Sequence, residues 1–328
     1  MKKVDLIVDM QYGSTGKGLI AGYLAERHGY DTVINANMPN AGHTYINKAG
    51  RKWIHKVLPN GIVSPNLKRV MIGAGAVFSP MQLRKEIENS KDLLEGVRIM
   101  IHPNAVPLTD EHVTNDQDVS KRIGGTGQGS GGALQAKVNR TALVAKDYQM
   151  WFNNYVVTHD EWNQALIDSD KILAEGAQGF SLGVSERFYP YCTSRDCTPA
   201  RFLADMSIPV QMLNDVIGVV RTYPIRTGGN SGGFYSDQVE TSWDELNLDP
   251  EFTTVTKKER RVFTFSKKQI EDAVFGIRPT KIFLNFCNYN TDEEVGELVS
   301  FINSVAGNYG GRVRYLGHGA TSRHIETL

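Results

Sequence analysis

Eight short, nearly uninterrupted apolar runs recur along the 328-residue chain, at 4–9, 31–35, 69–73, 97–102, 171–175, 216–223, 281–286 and 312–317. Strands without polar alternation are buried on both faces, which is the condition of a parallel sheet with helices on either side. Helix-like segments fall between them, at 17–28, 80–89, 110–121, 160–168, 198–206, 266–275 and 292–306. Thr198-Pro199 supplies an N-cap and an N1 proline for one helix, and Ser266 precedes another. The alternation predicts an α/β fold with a mostly parallel central sheet flanked by helices. Two glycine clusters, 124–132 and 227–234, interrupt the pattern without a shift in composition. They are expected to be functional loops of one domain spanning 1–328 rather than interdomain linkers.

Charge and cysteine usage narrow the function. Lys plus Arg (36) equals Asp plus Glu (36), and the sequence carries no basic stripe of the kind a nucleic-acid binder shows. No apolar run approaches the roughly 20 residues of a membrane span. Asp5 and Asp9 break the apolar N-terminal segment, which argues against a signal peptide. Cys192, Cys197 and Cys287 are too few for a disulfide framework, and no second Cys or His pair completes a zinc site. The expectation is a cytoplasmic protein with reduced thiols.

The stretch "MQYGSTGKG" (10–18) joins the first apolar run to the first helix. A glycine-rich turn at a helix N-terminus offers backbone N–H groups to an anion, which makes this a candidate phosphate loop. The Walker A spacing is absent, because only Ser14 and Thr15 separate Gly13 from Gly16-Lys17. Taken alone, the turn reads equally as a tight β–α connection with a solvated lysine. Other loops point the same way. "NAGHT" (40–44) sets a histidine where it can donate to a transferring phosphoryl group. "EGAQG" (175–179) ends another strand, where ligands of open α/β sheets gather, and the Gln178 amide suits a nucleobase. Thr126 in a glycine loop and Arg140 in "KVNR" suit a phosphomonoester, and "TTVTKKERRV" (253–262) suits a small dicarboxylate. Each also has a plain structural reading as a turn cap or a solvated charge.

In order, these segments resemble the adenylosuccinate synthetase family along nearly the whole chain. The family's first loop, Q-W-G-D-E-G-K-G, stands here as "QYGSTGKG", and N-A-G-H-T is intact at 40–44. "IGAGAVFSP" (72–80), "IGGTGQG" (123–129), "KVNR" (137–140), "EGAQG" (175–179) and "YPYCTSRDCT" (189–198) follow in the family's order. The resemblance implies the P-loop-NTPase-like fold of the family. It also implies a two-step ligation, in which a triphosphate phosphorylates O6 of a purine monophosphate and L-aspartate then displaces phosphate at C6. Ser14, Lys17, His43 and Gln178 would be the catalytic positions. Gly13, Ser14, Thr15, Gly16, Lys17, Gly18, Gly42, His43, Thr44, Asn285, Cys287 and Gly317 would hold the triphosphate. Ser14, Asn40, Gly125, Thr126, Arg140, Gln178 and Thr193 would hold the monophosphate, with Arg140 reaching a partner's site in a homodimer. Thr254, Val255, Thr256 and Arg260 would take aspartate, and Ser14 with Gly42 would meet Mg²⁺.

Three departures from the family pattern carry information. Ser14 stands where the family has an Asp that accepts the N1 proton of inosinate, and a positioned base is worth about 10²- to 10⁴-fold. A small side chain there makes room for a C2 amine, as in phage-borne members that act on dGMP on the way to diaminopurine DNA. Cys287 stands where the family reads the guanine of GTP with a carboxylate, so ATP or dATP is the expected donor. Lys258 replaces an arginine that approaches the ribose. The expected activity is therefore ligation of L-aspartate to dGMP with ATP or dATP. An ordinary synthetase using IMP and GTP, or a non-catalytic nucleotide binder, are the other readings. The replacement base is open among Asp9, a water and the substrate itself.

Overall fold

Nine strands form the central sheet of this computed structural model, which describes residues 2–253 and 258–328. They are β1 (Val4–Asp9), β2 (Thr32–Asn35), β3 (Arg69–Ile72), β4 (Arg98–Ile101), β5 (Ile172–Glu175), β6 (Leu213–Arg221), β7 (Lys281–Asn285), β8 (Arg312–Gly317) and β9 (Ile325–Thr327). In space they run β9-β8-β7-β6-β1-β5-β2-β3-β4. Every neighbouring pair is parallel except β8 with β9. All six residues of β1 are buried, as its place at the centre of the sheet requires. Each of the eight expected runs lies in this sheet. The short antiparallel β9 carries too little apolar sequence to be read as a strand.

Among the described residues eight α-helices accompany the sheet: α1 (Lys17–His28), α2 (Pro80–Asn89), α3 (Asp110–Ile123), α4 (Ser130–Val138), α5 (His159–Asp168), α6 (Pro199–Asp205), α7 (Lys267–Ile277) and α8 (Asp292–Gly307). Ser79, Thr109, Thr158, Thr198, Ser266 and Thr291 each cap a helix start by accepting a backbone N–H. None of the described helices is long and apolar enough to cross a membrane. The glycine cluster 124–132 differs from expectation, because its end opens α4. Its glycines serve close approach as well as turning: a Cβ on Gly132 would sit 2.3 Å from the His112 carbonyl oxygen of α3.

The sheet places four loops side by side at its carboxyl edge, after β1, β2, β5 and β6. A hairpin, His43–Ile46 against Lys52–His55, folds over this edge beside α1. Glu86 of α2 is buried and fixes the hairpin's exit. Its carboxylate accepts from the backbone N–H groups of Lys56 (2.7 Å), Val57 (3.0 Å) and Leu58 (2.8 Å). Removing it strands three donors in a dry setting. Glu86→Ala should lower stability by about 3 kcal/mol, and Glu86→Gln by about half that, measured by urea unfolding. Equal midpoints for the wild type and both variants would show that the clamp carries no stability.

Candidate active site

β1 ends in Asp9, whose side chain is fully buried beneath the loop it precedes. One oxygen accepts from the backbone N–H groups of Gln11 (2.9 Å) and Gly13 (3.1 Å). The other accepts from the Thr15 hydroxyl (2.6 Å) and from Lys17 Nζ (2.9 Å). Lys17 also donates to the Gln178 carbonyl oxygen at 2.8 Å, tying the first loop to the β5 loop. Gly16, the N-cap of α1, has φ 102, and a Cβ there would lie 2.2 Å from Asn285 Nδ2. Only glycine fits. Asn285 in turn donates to the Thr15 carbonyl at 3.0 Å.

Ser14 sits at the crest of the loop, exposed and with φ 57. A non-glycine residue in that region costs about 1–3 kcal/mol and needs restraint. Arg221, at the end of β6 and fully buried, donates from Nη1 to the Ser14 carbonyl at 3.1 Å. The same guanidinium pairs with Glu251 (2.5 Å) and lies over the Phe286 ring at 3.9 Å. The Ser14 hydroxyl has no hydrogen-bond partner among the described residues.

A cavity of about 300 Å³ opens over this loop. It brings together Gly13, Ser14, Gly16, Lys17, Gly18, Asn40, Gly42, His43, Thr44, Thr126, Gln178 and Arg260. A second cavity, of about 220 Å³, shares Asn40 and Thr126 with it and adds Gly125 and Thr193. The buried hydroxyls of Thr193 and Ser130 on its wall have no hydrogen-bond partner, so they stand ready for a polar ligand. The two cavities adjoin at Asn40 and Thr126.

His43 is held from behind. Its Nδ1 lies 3.4 Å from Glu175 Oε2 at the end of β5, and the other Glu175 oxygen accepts from Gly61 N at 2.8 Å. Glu175 is fully buried, and its contact with Nδ1 sets the orientation of the ring. Arg260 donates its backbone N–H to the Glu251 carbonyl at 2.8 Å. Burial lowers the pKa of its guanidinium, marking a cation short of water on the cavity wall.

Other expected positions lie elsewhere. Thr15 faces inward onto Asp9. Asn285 and Gly317 pack beneath the loop, and neither lines a cavity. Cys287 is buried, with its thiol 3.3 Å from the Leu284 carbonyl oxygen. Arg140 is exposed, bonds to the Val138 carbonyl at 2.6 Å and lines neither cavity. Thr254, Val255 and Thr256 lie outside the described residues. Among the described residues no three His, Cys, Asp or Glu side chains gather as a metal site.

Sequence reasoning left Glu175, Arg195, Arg221 and Ser130 without a role. For Glu175 a signal existed. Like Asp9, it is an acid closing an apolar run, where burial demands a partner.

The thiols offer a check on this geometry. Burial pushes Cys287 up to about 11 and Cys197 up to about 12, while half-buried Cys192 lines the second cavity. At pH 8 iodoacetamide should label Cys192 first in the native protein, and a nucleotide filling the second cavity should slow it. Peptide mapping that finds Cys287 labelled as fast would contradict the packing of the β7 end.

The sequence profile of adenylosuccinate synthetase matches residues 6–154 and 144–289. The chain is 58% identical to N6-succino-2-amino-2'-deoxyadenylate synthase of Vibrio phage phiVC8, covering 99% of this chain and 98% of that protein. It is 44% identical to the enzyme of the same name from Acinetobacter phage SH-Ab 15497, over 100% of this chain and 94% of that one. Among solved structures, the succinoaminodeoxyadenylate synthetase of cyanophage S-2L, bound to dGMP and dATP, superposes with a TM-score of 0.92 at 36% identity. That match covers 100% of this chain and 95% of the other. With its phosphate loop, its NAGHT hairpin and its β5 glutamine gathered on one cavity, the chain belongs to the adenylosuccinate synthetase family.

Proposed function

We propose that this chain joins L-aspartate to C6 of dGMP with ATP or dATP, yielding N6-succino-2-amino-2'-deoxyadenylate, the nucleoside diphosphate and phosphate. The observation that carries this reading is Ser14. It places a small, unpartnered hydroxyl in the cavity where the family's carboxylate would stand against a C2 amine. The relatives from Vibrio and Acinetobacter phages bear the name of this activity, and the cyanophage structure holds dGMP with dATP. Cys287 supports an adenine donor, because a buried thiol bound to a main-chain carbonyl offers guanine no carboxylate.

In the first step O6 of the base attacks the γ-phosphorus, the bond to the β-phosphate oxygen breaks, and the N1 proton leaves. Lys17, the glycine N–H groups of the first loop and His43 neutralise charge on the transferring group. Glu175 stands behind the imidazole of His43, on the side away from the cavity, and holds its orientation. In the second step the amine of aspartate adds at C6 and phosphate departs from it. Arg260 takes an aspartate carboxylate, together with Thr254, Val255 and Thr256. Asn40, Gly125, Thr126 and Thr193 hold the monophosphate nucleotide, and Arg140 completes that site from the second subunit of a homodimer.

Asp9 is unsuited to receive the N1 proton. Four donors already occupy its two oxygens, and taking a proton would release Lys17. A water or the substrate's own phosphate is left for that task. The Ser14 hydroxyl and the Gly42 carbonyl fit Mg²⁺, since both are hard oxygen donors on the cavity wall. The ion would take its remaining ligands from the triphosphate and water, and when bound it neutralises phosphate charge.

Purified protein with Mg²⁺ and aspartate, assayed with dGMP, GMP or IMP against ATP, dATP or GTP, should turn over dGMP with an adenine donor. Turnover confined to IMP with GTP would overturn the proposal. Ser14→Asp should impair dGMP turnover more than IMP turnover, and equal losses would remove the argument from the C2 amine. Glu175→Gln should lower kcat about 10- to 100-fold with little change in KM, because the histidine loses its counter-charge in the transition state.

A further inference from the structure

Gln178 lines the main cavity, yet its side chain is not free to choose which end faces the ligand. Its Oε1 lies 3.3 Å from Nη2 of Arg195. Arg195 is itself buried, 1% exposed, and its Nη1 donates to Asp205 Oδ2 at 2.9 Å. The second Asp205 oxygen accepts from Arg201 Nε at 3.0 Å, so the carboxylate is fixed by two guanidiniums. A guanidinium only donates, so the Gln178 atom facing it must be the oxygen. The amide nitrogen is thereby turned the other way, and it donates to Asn40 Oδ1 at 2.8 Å. The same logic then fixes Asn40: its oxygen is taken, and its amide nitrogen has no partner among the described residues.

We infer that Arg195 is a positioning residue that sets the polarity of both amides, so that they turn N–H donors toward the base and its phosphate. The relay has one direction, from Asp205 through Arg195 and Gln178 to Asn40, with the oxygens turned back along it and the unpartnered hydrogens left at its cavity end. Flipping Gln178 would set its NH₂ against the Arg195 guanidinium, donor against donor, in a dry site. Flipping Asn40 would do the same against Gln178. A 6-oxo group accepts from such a wall, whereas a 6-amino group meets it donor to donor. Arg195 therefore governs selection of a 6-oxopurine nucleotide over its 6-amino counterpart, although it need not touch either. This rests on the reading above that the purine lies at Gln178.

The test is equilibrium binding of two probes to the full chain by calorimetry: dGMP, and the deoxyribonucleotide monophosphate of 2,6-diaminopurine, which differs at C6 and in the N1 proton that goes with it. Wild type should prefer dGMP by about 100-fold, the upper scale expected when a buried donor loses its acceptor. Arg195→Met frees the amides to turn and should cut that preference at least about tenfold, chiefly through weaker dGMP binding. Arg195→Lys keeps the charge beside Asp205 but has no fork to reach both partners, and should move the ratio in the same direction. It carries the test if the methionine variant does not fold. In turnover, KM for dGMP should rise more than kcat falls. A ratio unchanged in the folded variants, with both nucleotides weakened alike, would reduce Arg195 to a structural residue and overturn the inference. A wild-type chain that binds neither nucleotide would instead overturn the proposed site for the base.

Discussion

The buried pair of Asp9 and Lys17 is the node on which the rest of the site depends. Burying two charges costs several kcal/mol per ion, and their attraction offsets this only when the remaining lone pairs and protons are satisfied. Here the condition is met from four sides. Two main-chain N–H groups and a hydroxyl complete the carboxylate, and the Gln178 carbonyl takes a second proton of the ammonium. Because these partners come from the loop after β1, from α1 and from the loop after β5, satisfying one carboxylate forces three chain segments into register. The lysine is thus delivered to the cavity by the demands of a buried acid.

From that node outward the cavity is a set of donors. Lys17, Arg260, the two amides and the unpartnered hydroxyls of Ser130 and Thr193 all present hydrogens or can do so, and the acids nearby are already engaged. Asp9 serves the loop, Glu175 serves His43 and Gly61, Glu251 serves Arg221, and Asp205 serves Arg195. Asp9 and Glu175 stand directly behind Lys17 and His43 on the cavity wall, whereas Glu251 and Asp205 act through the buried Arg221 and Arg195. A chain of zero formal net charge can therefore gather hydrogen-bond donors in one cleft without a basic surface. Such a lining suits phosphates, a dicarboxylate and a 6-oxo group together.

This layering also explains what was legible in the sequence. The apolar runs disclosed the sheet because burial on both faces leaves no room for polar alternation. The cavity-lining residues Gly13, Lys17, Asn40, His43, Thr126 and Gln178 drew notice because loops at strand ends gather there and carry residue types that main-chain turns alone do not need. The supporting shell was not. Arg195 and Arg221 lie 17 and 207 positions from the groups they hold, Gln178 and Ser14, and a single sequence contains nothing that links them. The start of α4 was hidden for a different reason. Gly131 and Gly132 are there for contact with α3, yet in sequence they resemble turn residues. Arg140 lies outside both cavities of its own chain, and its expected reach into a partner's site came only through the family resemblance.

Ser14 gains its meaning from how the loop is held. Its left-handed backbone would be a weak point if the side chain had to stabilise it, and serine tolerates that region less readily than glycine, asparagine or aspartate. The restraint comes instead from the main chain. Arg221 holds the Ser14 carbonyl, Asp9 holds the N–H of Gly13, and Asn285 holds the carbonyl of Thr15. With three flanking main-chain groups fixed by buried polar side chains, the residue at position 14 is relieved of any conformational duty. Its side chain can then be selected for the ligand alone. A carboxylate and a hydroxyl are exchangeable on the same backbone. A change of side chain at this position therefore requires no redesign of the loop.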